Sequence, residues 1–228
     1  MVQKSGNALS ERPTRRRGRP RAFEPEAVLG HAMDVFWKDG FAATSLDDLT
    51  AATGLNRPSL YGAFGDKRAL YIQAYRRYRE HVRDSFTPLF AEGAPLRDKL
   101  KRILMAALDL YLSGEAGPRG CFTVLTASSD AIADEEISAL VGKAIDNSDG
   151  AFERLFADAR AAGELPPDAD ALRLARMASA TTHTLSIRAR ARCPRAELIP
   201  IVEDAIMTIC GPAPKSKPSK ARKSKRTG

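Results

Sequence analysis

Thr44-Ser45-Leu46-Asp47-Asp48-Leu49-Thr50-Ala51-Ala52-Thr53-Gly54-Leu55-Asn56-Arg57-Pro58-Ser59-Leu60-Tyr61-Gly62-Ala63-Phe64-Gly65-Asp66-Lys67-Arg68-Ala69-Leu70 reads as two short helices joined by a tight turn. Ser45 is a good N-cap, and Asp48 three residues on completes a capping-box pattern. Leu46 and Leu49 form one apolar face, with Ala52 extending it. Gly54 stands where that helix must stop, because glycine takes the left-handed conformation at little cost. Leu55 plugs the turn. Asn56 caps the next helix, and Pro58 is tolerated in its first turn, where N–H groups have no helical partner. Leu60 and Phe64, four apart, face inward. This is the pattern of a helix-turn-helix, which sets one short helix in the major groove of DNA.

The residues left outward suit that task. Arg57 can reach a guanine edge or a phosphate. The Ser59 and Tyr61 hydroxyls can bond phosphate oxygens, as can Lys67 and Thr44. Gly62 and Ala63 are small enough for the backbone to come close to the groove. Ser45 and Pro58, at the two helix starts, complete the expected contact set. An upstream helix begins at Pro25, has Val28, Ala32, Val35 and Phe36 as its inner stripe, and ends at Gly40, with Phe41 at the junction.

Residues 25 to 72 resemble the N-terminal domain of the tetracycline-repressor-like (TetR) family of bacterial transcription regulators. The matching pieces are Gly40-Phe41, Thr44-Ser45-Leu46, Ala52-Thr53-Gly54-Leu55, Leu60-Tyr61, Phe64, Lys67 and Leu70. The resemblance implies a reading helix at about Arg57 to Phe64, with Tyr61 and Lys67 on the DNA backbone. Many such regulators carry His or Tyr before the Phe, where this chain has Gly62-Ala63, so contacts made by those larger side chains do not carry over.

The chain has 228 residues and a formal net charge of +8. The charge is uneven. Residues 1–24 hold Lys4, Arg12, Arg15, Arg16, Arg17, Arg19 and Arg21 against Glu11 and Glu24, and residues 212–228 hold seven Lys and Arg with no acid. The stretch between is mildly acidic. Basic tails on such a body suggest arms that supplement a specific site, or tails that only keep the protein soluble. Arg17-Gly18-Arg19-Pro20-Arg21 resembles an AT-hook core, suited to a narrow A·T-rich minor groove, so Arg17 and Arg19 join the expected DNA contacts.

The pattern stays helical to the end, without strand alternation. A long helix is expected from Asp66 to about Ala91, with Tyr71, Ala74, Tyr75, Tyr78 and Val82 on one face and Arg76, Arg77, Arg79 and Arg83 on a solvated one. Further helices are expected at 95–113, Cys121 to about Ser129, 134–162, Asp168–Ala191 and Pro194–Cys210. The expected architecture is all-α: a disordered basic arm (1–23), a three-helix helix-turn-helix domain (24–84), a helical effector-binding and dimerisation domain (85–211) reached by the long helix, and a disordered basic tail (212–228).

One short reading helix contacts few bases, so function favours a homodimer whose two heads read half-sites about 34–36 Å apart or a multiple of that. Residues 169–210 are the candidate dimer surface: Ala175, Ala178, Ser179, Ala180, Thr181, Thr182 and Thr184 permit close approach, and Leu198, Ile201, Val202, Ala205, Ile206 and Ile209 follow. The same pattern fits helices packed inside the subunit. The resemblance implies that these helices pair with a twofold mate as a four-helix bundle. It also implies a small-molecule pocket in the C-terminal body, whose filling spreads the heads. Candidate lining residues are Phe86, Phe90, Met105, Leu108, Tyr111, Phe122, Leu125, Phe152, Phe156 and Met177, and no Asp/Arg pair announces a charged ligand.

Cys121, Cys193 and Cys210 are widely spaced, with no C-x-x-C pair for zinc, and fit a reducing cytoplasm. Cys121 follows Arg119-Gly120 and opens a helix, where a cation and the helix N-terminus can activate a thiol for redox sensing; the alternative is a small residue at a tight junction. No secretory leader is read in residues 1–24, and no apolar run is long enough to span a membrane. His31, His81 and His183 are isolated, no catalytic motif appears, and no metal or cofactor is expected. His31 is expected to pack beside the stripe of the first helix. With what the resemblance implies, the expectation is a cytoplasmic bacterial regulator, nucleoid-associated when DNA-bound, that binds double-stranded DNA, most simply a repressor released by a small molecule of unknown class. A transcriptional activator of the same fold and a non-specific DNA-coating protein are the alternatives.

Overall fold

The computed structural model describes residues 23–91, 93–114 and 117–212. Among them are nine helices and no strand. Residues 1–22 of the basic arm, including Arg17 and Arg19, and residues 213–228 of the basic tail lie outside the described residues.

Helix α1 (Pro25–Ala43) opens on Pro25 and is interrupted at Gly40, whose φ of 79° leaves the helical region. The Thr44 hydroxyl donates to the Gly40 carbonyl at 2.6 Å and so fastens the interruption. Helix α2 (Leu46–Thr53) starts with the full capping box: the Asp48 N–H donates to Ser45 Oγ at 3.1 Å, and the Ser45 N–H donates to Asp48 Oδ2 at 2.8 Å. Gly54 ends it in the left-handed conformation, φ 68°. Asn56 then caps α3 (Arg57–Phe64) by accepting the Ser59 N–H at 2.9 Å. The Asp66 carboxylate accepts the Ala69 N–H at 2.7 Å, at the start of the long α4 (Lys67–Ala91).

The remaining helices are α5 (Leu96–Leu112), α6 (Phe122–Ser129), α7 (Glu135–Ala161), α8 (Ala171–Arg190) and α9 (Arg195–Cys210). Two apolar cores result. One gathers Leu100, Ile103, Leu104 and Leu108 of α5 with Phe156 of α7, Leu185 of α8 and Leu198 and Val202 of α9. The other lies under the N-terminal helices and is completed from outside them, by Phe122 of α6 and by Ile137, Val141 and Ala144 of α7.

Phe122 is fully buried there. It meets Tyr71, Tyr75 and Tyr78 edge-on, at 5.6, 5.6 and 5.5 Å between centroids. Such edge-to-face contacts place positive ring edges against negative faces. Trp37, which the apolar stripe read from α1 omits, is 2% exposed and donates its indole N–H to the Gly120 carbonyl at 3.1 Å. The α1 end is held from the body as well: Arg190 of α8 donates to the carbonyls of Trp37 and Lys38.

Ala52 does not extend the apolar face of α2 but is exposed, whereas Val35 is half-buried and packs against the core under the head as expected. His31 lies on the outer side of α1, exposed to solvent, and does not pack. The Ala-rich stretch of α8 is divided between two faces: Ala175 and Ala178 are fully buried and Ser179 is 3% exposed, while Ala180 and Thr184 are exposed. Small side chains there let α8 lie close to its neighbours within the same chain.

Candidate nucleic-acid interface and internal cavity

The two halves of the candidate site sit at opposite ends of α4. At its start is α3, the helix expected to read DNA. Leu60 and Phe64 are buried beneath α3, and Arg57, Pro58, Ser59, Tyr61 and Gly62 stand exposed on its outer side. Gly62 has nothing within 4 Å of where a Cβ would stand, so the backbone there is open to a close partner.

Arg57 is not idle. Its guanidinium donates to the Asp47 carboxylate at 2.7 Å, tying α3 to α2 across the turn. Both side chains are largely exposed, so water and salt screen the pair, and its net value is small. Asp48, beside it, has its carboxyl held below the usual range by hydrogen bonds from the Ser45 side chain and backbone. Lys67 is half-buried, with its ammonium 4.5 Å from the Phe41 ring centroid, a cation–π contact that positions it at the α4 start.

Thr44 departs from expectation. It is 1% exposed, and its hydroxyl is engaged with Gly40, so it shapes the α1–α2 junction and is not presented to a phosphate. Arg68 is also engaged elsewhere. It bonds Asp134 at 2.5 Å and Glu136 at 3.0 Å, which ties α4 to the start of α7 and holds the Asp134 carboxyl down to about 2.

At the other end of α4 is a cavity of about 720 Å³ bounded mainly by α4, α5, α7 and α8. Ligand cavities commonly fall in this size range. Of the residues expected to line it, Phe86, Phe90, Tyr111 and Phe152 do. Phe90 and Phe152 meet edge-on at 5.3 Å. The others do not. Leu108 and Phe156 are fully buried in the body core, and Met105 packs against that same core. Phe122 and Leu125 belong to the core under the head. Met177 is 39% exposed on the outside of α8.

Sequence reading missed the polar wall. Arg79, Thr123, Thr182 and His183 line the cavity, and so does Cys121. Arg79 is half-buried, unlike the solvated charge expected of the arginine run. Burial holds the His183 imidazole below its usual range, with Asp149 pulling the other way. Burial likewise pushes the Tyr78 and Tyr111 hydroxyls well up, so they stay protonated.

The Cys121 thiol lies 3.3 Å from the Tyr78 hydroxyl, and its backbone N–H donates to Ser186 Oγ. The cation expected to activate it is committed elsewhere. The Arg119 guanidinium pairs with Asp34 at 2.5 Å and stacks over the Trp37 ring at 4.1 Å.

Residues 28–74 match the family described as bacterial regulatory proteins, tetR family. Over 175 residues the chain is 30% identical to the HTH-type transcriptional repressor ComR of Escherichia coli strain K12, spanning 76% of this chain and 83% of that one. The chain belongs to the TetR family. It is therefore a DNA-binding transcriptional regulator.

Solved TetR-family structures agree. The regulator CifR, solved as a cysteine mutant with 26-bp double-strand operator DNA, superposes with a TM-score of 0.76 at 31% identity, covering 83% of this chain and 98% of that one. A TetR regulator from Chloroflexus aurantiacus J-10-FL gives 0.73 at 27%, covering 81% and 92%. The all-helical architecture, with the reading head at the N-terminus, is thus the TetR architecture. No helix among the described residues is long and apolar enough to cross a membrane.

Proposed function

We propose that this TetR-family chain is a homodimeric repressor. It holds a near-palindromic operator with α3 of each subunit in successive major grooves, and releases it when a small molecule fills the cavity. The supporting observation is that one continuous helix serves both sites. α4 starts at Lys67, immediately after the reading helix, and its far end supplies Phe86 and Phe90 to the cavity wall. A ligand that displaces the far end of α4 tilts the head attached to its start. Two heads so tilted no longer match adjacent grooves. ComR is named as a repressor, and CifR was solved on operator DNA, which favours the same reading here.

The dimer is assigned to residues 169–210. The inner faces of α8 and α9 are occupied by the core of the subunit, and their outer faces leave Leu172, Met177, Ile187 and Met207 exposed. Exposed apolar side chains of this size, on neighbouring helices, suit a twofold mate. Met177→Glu together with Ile187→Glu then yields monomers in sedimentation experiments.

The deciding experiment is selection of binding sites from random duplex DNA at physiological salt, on the full chain and on residues 24–211. A near-palindrome shared by both supports the proposal and supplies the operator. Absence of a consensus, or binding that disappears without the tails, replaces it with a non-specific DNA-coating role.

A further inference from the structure

We infer that the cavity takes an amphipathic organic monoanion, with its carboxylate against Arg79 and an apolar chain or ring running toward Phe90. The inference rests on the effector-cavity reading above and adds the chemical class of the ligand.

Four of the five arginines of α4 have a carboxylate partner. Arg68 pairs with Asp134 and Glu136, Arg76 with Glu136, Arg77 with Glu26, and Arg83 with Asp84. Arg79 has no carboxylate partner among the described residues. Its hydrogen bonds run to Thr123 Oγ1 and to the Ala144 carbonyl, both at 3.5 Å, the outer limit for such a contact. A guanidinium carries five N–H donors, so most of its capacity is unused. Yet this side chain is half-buried in the cavity wall, where an unpaired charge is more costly than at the surface. A planar carboxylate supplies the missing partner in bidentate geometry.

The other charges do not compete for that role. Glu80, Asp158, Arg83 and Arg154 line the cavity too, but all four are exposed, of mixed sign and screened by water. Inside, His183 is disfavoured as a cation by its burial. Asp149 acts on His183 but does not line the cavity, so among the lining charges Arg79 is the one held in its wall without a carboxylate partner.

The shape gives the rest of the ligand. Along one face of α4 the lining changes from Arg79 to Val82, Phe86 and Phe90. The twelve residues from Arg79 to Phe90 span about 16 Å of helix axis. Phe152 and Leu155 of α7 and Ile103 of α5 face the apolar part. A charged end and an apolar body of that length define an amphiphile rather than a sugar or a nucleotide.

The test uses the full chain with two probes that differ only at the head group, octanoate and 1-octanol, titrated calorimetrically. The wild type is expected to bind one octanoate per subunit at least about tenfold more tightly than octanol, the usual worth of a charge-assisted hydrogen bond. Arg79→Met should abolish that preference while octanol binding changes little, and Arg79→Lys should keep part of it. If Arg79→Met fails to fold, Arg79→Lys against Arg79→Gln makes the same comparison. Equal binding of the two probes, a preference that survives Arg79→Met, or no binding of octanoate overturns the inference. Ala151→Trp, which fills the cavity from α7, separates this failure from that of the cavity reading. Octanoate and octanol that still bind to Ala151→Trp are not in the cavity, and both readings fall. If both probes are lost in Ala151→Trp but Arg79 does not discriminate, only the assignment of charge falls.

Discussion

The Tyr71 hydroxyl donates to the Asp130 carboxylate at 2.6 Å, joining α4 to the residue that ends α6. Asp130 is 8% exposed and also accepts the Phe41 N–H at 3.3 Å, so one carboxylate gathers the end of α1, the head of α4 and the end of α6. A carboxylate at a helix C-terminus opposes the helix dipole and needs such donors. Burial, reinforced by Asp130, pushes the Tyr71 hydroxyl well above its usual range, so it remains a donor at every accessible pH.

Tyr71→Phe removes the principal donor and leaves Asp130 on a single long hydrogen bond. The expected cost is about 1–3 kcal/mol, read as a lower urea midpoint. Combined with Asp130→Asn, the two losses should be markedly less than additive. Strict additivity would show that the pair does not act as a unit.

Gly120 predicts a backbone effect. Its φ of +69° is left-handed, and a Cβ there would stand 2.9 Å from the Ser186 carbonyl. Gly120→Ala should lose about 1–2 kcal/mol from the backbone alone. It should also disturb the Trp37 indole hydrogen bond, visible as a shift in the emission of the chain's single tryptophan. Gly142→Ala is the control, since α7 is open there and a helical alanine is preferred to glycine. A midpoint for Gly120→Ala equal to that of the control would sink the argument.

What was legible in the sequence was mostly local. Ser45 with Asp48, Gly54, and Asn56 before Pro58 each act within a few residues of themselves, so the head could be read from them. Trp37 to Gly120 and Tyr71 to Asp130 join positions 83 and 59 apart, and nothing near either residue announces the partner. The cavity shows the same limit. Phe122 and Phe156 have the same inward periodicity as Phe86 and Phe152, because spacing tells which face turns inward but not whether a neighbour fills the space beyond it. Arg79 differs from Arg76 only by lying three residues on. That small rotation takes it from Glu136 to the cavity wall, a distinction that needs α7 in place.

His183 predicts an acid response. Its depressed pKa means that the unfolded chain takes up a proton first as pH falls below about 6.5. The imidazole therefore takes nothing from stability at pH 7.5 and lowers it on acidification toward pH 5.5. Asp134, held to about 2, loses its contribution only far below that window, so the two effects separate. His183→Gln should shrink the drop in urea midpoint between pH 7.5 and 5.5. An unchanged drop would place the acid response elsewhere.

Lys67 tests the backbone contact. It stands at the first position of α4, fixed over Phe41, beside the exposed face of α3. If it holds one phosphate, Lys67→Ala should weaken operator and random DNA by the same factor and reduce the salt slope of binding by about one. A loss confined to the operator would make it a specificity residue.

Arg57 is held by Asp47 in the free protein, and to reach DNA it would have to exchange that carboxylate for the nucleic acid. Because the pair is exposed, release should be easy, and Arg57→Ala should cost operator binding roughly tenfold to a hundredfold if the arginine reads a base. Random DNA should be affected much less, and the consensus at one position of each half-site should relax. Asp47→Asn gives the complementary result. It frees Arg57 and removes a negative charge that would otherwise face the phosphates, so affinity should rise for every sequence, and the ratio of operator to random binding should change little. Filter-binding or fluorescence-anisotropy titrations on both DNAs measure the two variants together. Equal losses on both DNAs for Arg57→Ala would make Arg57 a phosphate contact. Weaker binding by Asp47→Asn would mean that the Asp47 pairing positions the arginine for DNA instead of withholding it.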